Sequence, residues 1–260
     1  MYLDIEEKDY DQYIYRIIPY DRFIELFEKN KNTLVKPNSW EDTFENFALK
    51  SKLKLSDGAE IILDTHERLF GQCWTTSKAS DAMWRIYSHD KKSIRIRTTV
   101  DKLLTSLSMA NVSVERTESC IGRVEYETED KIMSSAKKAF SRDGRMTFGN
   151  LFRSLLLKRK AFEHEREVRL IHLDWGYELP SSDLYSYEIE PHDLISQVMI
   201  DPRVSYQDFL QIKKDIVQKT GYSGDIKRSL LYRLPEALTI EVEQDSDGLL
   251  SNMVKELNRV

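Results

Sequence analysis

Cysteine is nearly missing from this chain: Cys73 and Cys120 are the two among 260 residues. Neither a disulfide framework nor a cysteine-based zinc site can be assembled from them, and both read as reduced thiols. The five histidines, His66, His89, His164, His172 and His192, never take the H-E-x-x-H spacing, so no metal is expected. Glycine is scarce as well. The nine present form neither G-x-G-x-x-G nor G-x-x-x-x-G-K-[ST], which excludes the common phosphate-cradling loops. No apolar run approaches the roughly 18 residues of a membrane helix, so no span is expected. The segment from Met1 to Tyr13 is acidic and has no apolar h-region, which argues against a signal peptide and for a cytoplasmic location. Positive charge is not in excess either: the formal net charge is −5 and the pI about 5.7. Any nucleic-acid contact must therefore come from a local patch.

What is present fits one globular unit. The chain is 40% hydrophobic and 32% charged, enough for a substantial core, and it lacks Gly-Pro-Ser linkers and repeats. A single domain over 1–260 is expected, with its core over about 13–242 and a helical C-terminal tail. Tyr13 to Ile18 is β-branched and aromatic, a strand with Arg16 inside it. Asp21 is placed to cap a helix over Arg22 to Asn30, with Phe23, Leu26 and Phe27 on one face. Leu34 to Lys36 reads as a strand, Trp40 to Leu49 and Ile61 to Phe70 as helices, and Gly71 to Thr76 as a strand. Ser80 can cap a helix over Ala82 to Tyr87, on which Met83, Trp84 and Tyr87 share a face. Ser93 to Thr98 alternates Ile94 and Ile96 with Arg95 and Arg97, and Ile121 to Tyr126 alternates similarly. Residues 130 to 162 read as a long helical region, and Glu165 to Leu173 and Val198 to Asp201 as strands. Ser205 to Thr220 reads as a helix ended by Gly221, followed by closing strands at Ser229 to Leu234 and Leu238 to Val242. Strands and helices mix without a βαβ rhythm, which makes the fold class α+β.

The segment Phe162 to Ile171 is the richest in chemistry. On a strand, period two puts Glu165, Glu167 and Arg169 on one face and Val168 and Leu170 on the other. Two adjacent carboxylates raise at least one pKa unless a cation offsets them, and Arg169 is that candidate cation. Such a pair suits a cationic transition state, as in breaking a glycosidic bond; the bland reading is a solvated edge strand with surface ion pairs. Arg16, between β-branched residues, must face a cleft or a carboxylate. It either clamps a phosphate or pairs with Asp42 or Glu45. Trp74-Thr75-Thr76-Ser77 offers hydroxyls to a ribose or to a backbone turn. Trp84 is best read as core, whereas the Tyr87 hydroxyl wants a polar partner.

These pieces stand in a recognisable order: Tyr13-Ile14-Tyr15-Arg16, Glu41-Asp42-Thr43-Phe44-Glu45, Met83-Trp84-Arg85-Ile86-Tyr87 and Glu165-Arg166-Glu167-Val168-Arg169. The chain resembles a large bacterial family of unknown function with Y-x-Y-R, N-D-P-F-E, M-W-x-x-Y and E-x-E-x-R motifs. Leu194 to Ser205 is similar to its closing L-x-x-I-I-L-G-P-x-x-S. Glu41 and Thr43 depart from that pattern, and Asp201 stands where it has Gly. The family in turn resembles mono-ADP-ribosyltransferases of the Arg–Ser–Glu type. That resemblance implies an ADP-ribosyltransferase-like split sheet, mixed or antiparallel, with flanking helices and NAD as substrate. It implies Arg16 on the NAD phosphates, Thr75, Thr76 and Ser77 shaping the nicotinamide pocket, and Glu167 and Glu165 as catalytic acids. Tyr87 or Trp74 is expected to stack on the nicotinamide. It further implies a toxin or phage-defence effector acting on an RNA, DNA or protein acceptor, with a neutralising antitoxin-type partner.

Two other readings remain open on the residues. Asp42, Glu45, Glu165 and Glu167 could serve as the magnesium ligands of a nuclease, with Lys160 as its lysine. A non-catalytic module could instead use the aromatics and acids as a partner surface. Lys91-Lys92, Arg95-Arg97 and Lys158-Arg159-Lys160 are the basic clusters open to an acceptor.

Overall fold

In the computed structural model the run Tyr13 to Ile18 is a strand, as its β-branched and aromatic residues require, and it lies near the middle of a large sheet. The structure describes residues 1–40, 42, 44–45, 47–50, 52–54, 57–62, 64–78, 80–141, 147–233 and 248–257. Strands β1 (Tyr2–Leu3) and β2 (Tyr13–Pro19) precede helix α1 (Tyr20–Lys29) and strand β3 (Lys31–Val35). A hairpin of β4 (Lys52–Lys54) and β5 (Glu60–Ile62) leads through α2 (Thr65–Arg68) into β6 (Leu69–Thr75). Next come α3 (Asp81–Tyr87), β7 (Ser93–Thr99), α4 (Val100–Ala110), β8 (Thr117–Arg123) and β9 (Glu125–Glu127). They are followed by α5 (Glu129–Ser141), α6 (Phe148–Ser154), β10 (Leu157–Arg159) and β11 (Glu167–Asp174). The order closes with β12 (Leu184–Glu188), α7 (Pro191–Leu194), β13 (Gln197–Ile200), α8 (Tyr206–Thr220), β14 (Asp225–Arg228) and α9 (Leu249–Leu257).

Ten strands form one mixed sheet in the order β1-β8-β11-β6-β2-β7-β13-β14, with β3 also on β6 and β12 on β3. The outer pairs β1–β8 and β13–β14 are parallel and the inner ladders antiparallel. The expected α+β class with a split, mixed sheet is what the chain adopts. The split falls at β6. It meets β2 at one position, Tyr15 opposite Thr75, and β3 at one position, Val35 opposite Gly71. Fully paired with β11 on its other edge but held to β2 and β3 by a single bridge each, β6 parts from both, leaving a fork between β2 and β3.

Each face of the sheet has its own core. Ile14, Ile18, Phe70, Trp74, Ile94, Ile96, Val168 and Leu170 pack with α1 and α4 on one side. Leu69, Cys120, Ile171 and Leu173 pack with Leu151, Phe152 and Leu155 of α6 on the other. Val168 and Leu170 are thus buried behind Glu167, as the alternation requires. The Ser80 cap matches expectation, accepting from the Met83 amide, and Ser205, expected as the first helical residue, is instead the N-cap of α8 and accepts from the Asp208 amide. Gly221 ends α8 in the left-handed region.

Several expected elements differ. Asp21 lies inside α1, whose N-cap is Pro19. Ile61 to Phe70 is split among β5, α2 and the start of β6. The described part of Trp40 to Leu49 holds a short 3-10 turn, Phe47–Lys50, while Glu41 and Thr43 lie outside the described residues. The described part of the long helical region over 130 to 162 holds two helices and a strand, while 142 to 146 lie outside the described residues. The closing strand is β14, ahead of Ser229, and Leu238 to Val242 lies outside the described residues. Among the described residues no helix is long and apolar enough to cross a membrane.

Candidate active site

Glu165 does not continue β11. It ends a 3-10 turn, Lys160–Glu165, and Arg166 then takes the left-handed region at φ 46° and ψ 54°. An arginine has no local reason to sit there, so tertiary bonds must hold it. Thr75 Oγ1 donates to the Glu165 carbonyl at 2.6 Å, and the Thr76 amide donates to the Arg166 carbonyl at 3.0 Å. The end of β6 thereby folds the turn back so that Glu165 meets Glu167 across Lys158.

The expectation of a polar strand face is corrected here. Glu165 is 5% exposed, Glu167 6% and Arg169 0%. Lys158 Nζ lies 2.6 Å from Glu165 Oε2, 2.6 Å from Glu167 Oε1 and 2.9 Å from Glu45 Oε1. Arg169 Nε reaches Glu167 Oε2 at 2.6 Å, and its terminal nitrogens reach Glu45 Oε1 and the Leu155 carbonyl, each at 2.6 Å. The Trp40 ring covers the guanidinium, its centroid 4.5 Å from the arginine Cζ. Three carboxyl groups and two cations are thus buried together, which is tolerable only because every charge is paired.

With three acids on two cations, one acid is better off neutral. Burial, and then the hydrogen bond with Glu167, push Glu165 up to about 7. Burial acts on Glu167 too, but Arg169, the bond from Glu165 and Lys158 outweigh it and hold Glu167 well below the usual carboxylate range. A protonated Glu165 donating to an ionised Glu167 is an acid and a carboxylate kept apart by their surroundings, the pattern of paired catalytic carboxyls. Lys158 stays charged because Glu167 and Glu45 outweigh its desolvation.

Arg16 lies half-buried on β2, two strands from Glu167. Tyr15, Thr75 and Glu167 stand opposite one another in one row, so Arg16 leaves β2 on the side away from Tyr15. Arg16 and Glu167 thus lie on strands separated by β6 and leave the sheet on opposite sides. β2 and β6 part beside Arg16, and its guanidinium feels Cys73, Tyr187 and Tyr87. Desolvation lowers its pKa, and no carboxylate pairs with it among the described residues. Asp42 is held by Arg159 and Glu45 by Lys158 and Arg169, so neither pairs with Arg16, the alternative to a phosphate.

Tyr87 links the two halves. It ends α3, is 42% exposed, and its hydroxyl is pushed up first by burial and then by Glu165 and Glu167. Thr76 and Ser77 are half-buried on the same side of the fork; Thr75 is buried and spends its hydroxyl on the turn. Trp74 is not at the site. It is 3% exposed in the opposite core and its Nε1 donates to Gln72, so it cannot stack on a ligand beside Glu167.

The residue that sequence reasoning missed is Lys158. It was placed with Arg159 and Lys160 in a basic cluster open to an acceptor, yet Lys158 binds the acids and Arg159 turns to Asp42. Buried acids demanding a cation were the available signal. Among the described residues no group of three or more His, Cys, Asp or Glu is arranged to hold a metal ion. A cavity of about 480 Å³ opens beside Glu167, lined in part by Thr76, Arg123, Tyr126, His164 and Arg166. A larger one of about 740 Å³, between α1, α4 and α7, touches none of these residues.

The family model described as "Protein of unknown function (DUF2971)" matches residues 83–170. That stretch carries both the M-W-x-x-Y and the E-x-E-x-R motif. No curated protein matches the chain. Among solved structures the chain is similar to DarT of Thermus sp. 2.9 in complex with ADP-ribosylated ssDNA, at 9% identity and a TM-score of 0.37, covering 88% of this chain and 98% of that one. It is also similar to the same protein in complex with NAD+, at 10% identity and a TM-score of 0.36, covering 83% and 94%.

Proposed function

We propose that the chain is an ADP-ribosyltransferase that cleaves the nicotinamide–ribose bond of NAD and passes ADP-ribose to a macromolecular acceptor, nucleic acid or protein. The observation that carries this reading is the Glu165–Glu167 pair, one carboxyl neutral and one ionised near neutral pH, facing Tyr87. Glu167, charged throughout, stabilises the oxocarbenium as nicotinamide leaves with the bonding electrons and accepts from the ribose 2′-hydroxyl. Glu165, once deprotonated, takes the proton of the acceptor nucleophile as that atom bonds C1′. Arg16, paired with no carboxylate among the described residues, attracts the diphosphate from the fork. Tyr87 supplies a ring and a hydroxyl beside the leaving nicotinamide. As an effector of the toxin or phage-defence kind, the protein would be held in check by a neutralising partner.

The test is nicotinamide release from NAD by purified protein, with and without magnesium. Metal-independent release that disappears in Glu165→Gln is expected. No release from NAD, together with magnesium-dependent cleavage of nucleic acid, would instead establish the nuclease reading. For that reading Asp42 is badly placed, since Arg159 holds both of its oxygens.

A further inference from the structure

Arg95 was grouped with the exposed basic residues, but it is 5% exposed. It stands opposite Ile17 on β2, and Tyr15, two residues away on the same face, stands opposite Thr75, which faces Glu167. Period two therefore puts Arg95, Tyr15, Thr75 and Glu167 on one side of the sheet, opposite to Arg16. The guanidinium lies over the Tyr15 ring, 4.6 Å from its centroid. One terminal nitrogen donates to the Lys78 carbonyl, three residues past Thr75, and Nε has no hydrogen-bond partner among the described residues.

A buried guanidinium normally sits against a carboxylate, because ring stacking and one neutral carbonyl return only part of its lost hydration. None is paired with it among the described residues, and the nearby charge is another cation, Arg97. Burial pushes Arg95 down to about 10. The neighbouring ion network shows how this chain treats other buried charges: Lys158 is given three carboxyl groups and Arg169 two. Arg95, like Arg16, departs from that pattern, and an anion from outside the chain would complete it.

We infer that Arg95 is an anion-binding residue of this face, taking a phosphate group that replaces the Lys78 carbonyl and occupies the vacant Nε–H. Assigning that phosphate to a substrate rests on the glycosyl-transfer reading, and two sources share the chemistry: the diphosphate of NAD and a phosphodiester of a nucleic-acid acceptor. The guanidinium fork suits either, donating two parallel bonds to one phosphate.

The test starts from unmodified protein. In ¹⁵N-labelled wild type titrated with inorganic pyrophosphate, the Arg95 Nε–H resonance, assigned by its loss in Arg95→Lys, should shift and exchange more slowly with water. An unmoved resonance at saturating pyrophosphate would overturn the proposal, whatever happens to the folding of any variant. In Arg95→Gln, affinity for ADP-ribose should fall at least tenfold while affinity for nicotinamide riboside, which lacks the diphosphate, stays the same. A loss confined to a short single-stranded oligonucleotide would keep the phosphate site and assign it to the acceptor. Unchanged affinity for both ligands would rule the site out. If pyrophosphate moves the Arg95 resonance but wild type releases no nicotinamide from NAD, the anion site stands and the transferase reading falls.

Discussion

Glu165 and Glu167 close on a single ammonium, the Nζ of Lys158 standing 2.6 Å from an oxygen of each. The geometry forces the two carboxyls into unequal roles, since Arg169 adds a second cation to Glu167 and none to Glu165. The inequality is testable at each residue.

Glu165→Gln replaces a carboxyl that is neutral below pH 7 with its amide isostere. The amide oxygen can still accept from Lys158, and its NH2 can still donate to Glu167. Below about pH 6 the melting temperature should therefore stay within a degree or two of wild type, while above about pH 7, where the wild-type carboxyl is ionised, nicotinamide release should fall by about a hundredfold or more, the usual scale for losing a general base. A variant that keeps full turnover would remove Glu165 from the mechanism.

The pH dependence of stability follows from the same group. Glu165 binds its proton more tightly in the folded chain, so its contribution is fully present below its unfolded value of 4.5 and is lost as pH rises through about 7. At about 1.4 kcal/mol per tenfold change in proton affinity, the loss is on the order of 3 kcal/mol across that window. Glu167 acts in the opposite sense: its lowered pKa adds stability above 4.5 that disappears as pH falls further. Denaturant unfolding of wild type and Glu165→Gln from pH 4.5 to 8 should differ by the Glu165 slope. Parallel profiles would mean that Glu165 titrates normally.

Glu167→Gln should be costly to the fold as well as to catalysis. An exposed strand carboxylate would leave stability nearly unchanged on substitution, but this one is buried between Lys158 and Arg169. Removing its charge leaves cations in excess, a loss of about 3–5 kcal/mol in comparable buried pairs. Calorimetry at pH 7 measures it directly. A melting temperature equal to wild type would show the network to be better solvated than its burial indicates.

Much of the sheet was legible because its signals are local. The alternation of Ile94 and Ile96 with Arg95 and Arg97, and the buried pair Val168 and Leu170, follow from period two alone. The order Arg16, Thr75, Glu165, Glu167 was legible as a motif series. Its spatial form was not. Nothing near Arg166 in sequence announces a left-handed residue, because the bonds that impose it come from Thr75 and Thr76, some ninety positions away. Lys158 meets Glu45 over an even longer separation, and the side of β2 on which Arg16 emerges depends on a one-residue register with β6. Long-range pairing and register are set by the whole core, so a short motif cannot carry them.

Gly71 tests how far the core supports the site. A Cβ there would stand 2.5 Å from Cζ2 of Trp40, whose ring covers Arg169. Gly71→Ala must therefore displace that ring and uncover the guanidinium, at a cost of about 1–3 kcal/mol for overpacking. A red-shifted Trp40 emission, isolated by subtracting the spectrum of Trp40→Phe, should accompany a lower melting temperature. Unchanged emission would show that β6 moves in place of the ring.

Asp201 stands where the resembled family has glycine, and the structure supplies a reason for the acid. Its side chain is fully buried, accepting from Arg203 Nε at 3.0 Å, Arg203 Nη2 at 2.6 Å and Ser88 Oγ at 2.6 Å. Arg203 Nη2 in turn donates to the Trp84 carbonyl at 3.0 Å and to that of Ser88, which also accept from the Ser88 and Lys91 amides at the end of α3. Asp201 therefore fixes the C-terminal turn of α3, and Tyr87 is the last residue of that turn. Asp201→Gly should strip Arg203 of its counter-ion and free the turn, costing about 3 kcal/mol or more. If Tyr87 acts at the site through its position, the variant's residual activity at a temperature where it remains folded should show a raised KM for NAD, and Tyr87→Ala in the same background should add little further. Independent, additive effects of the two substitutions on KM would show that the clamp stabilises α3 without positioning Tyr87.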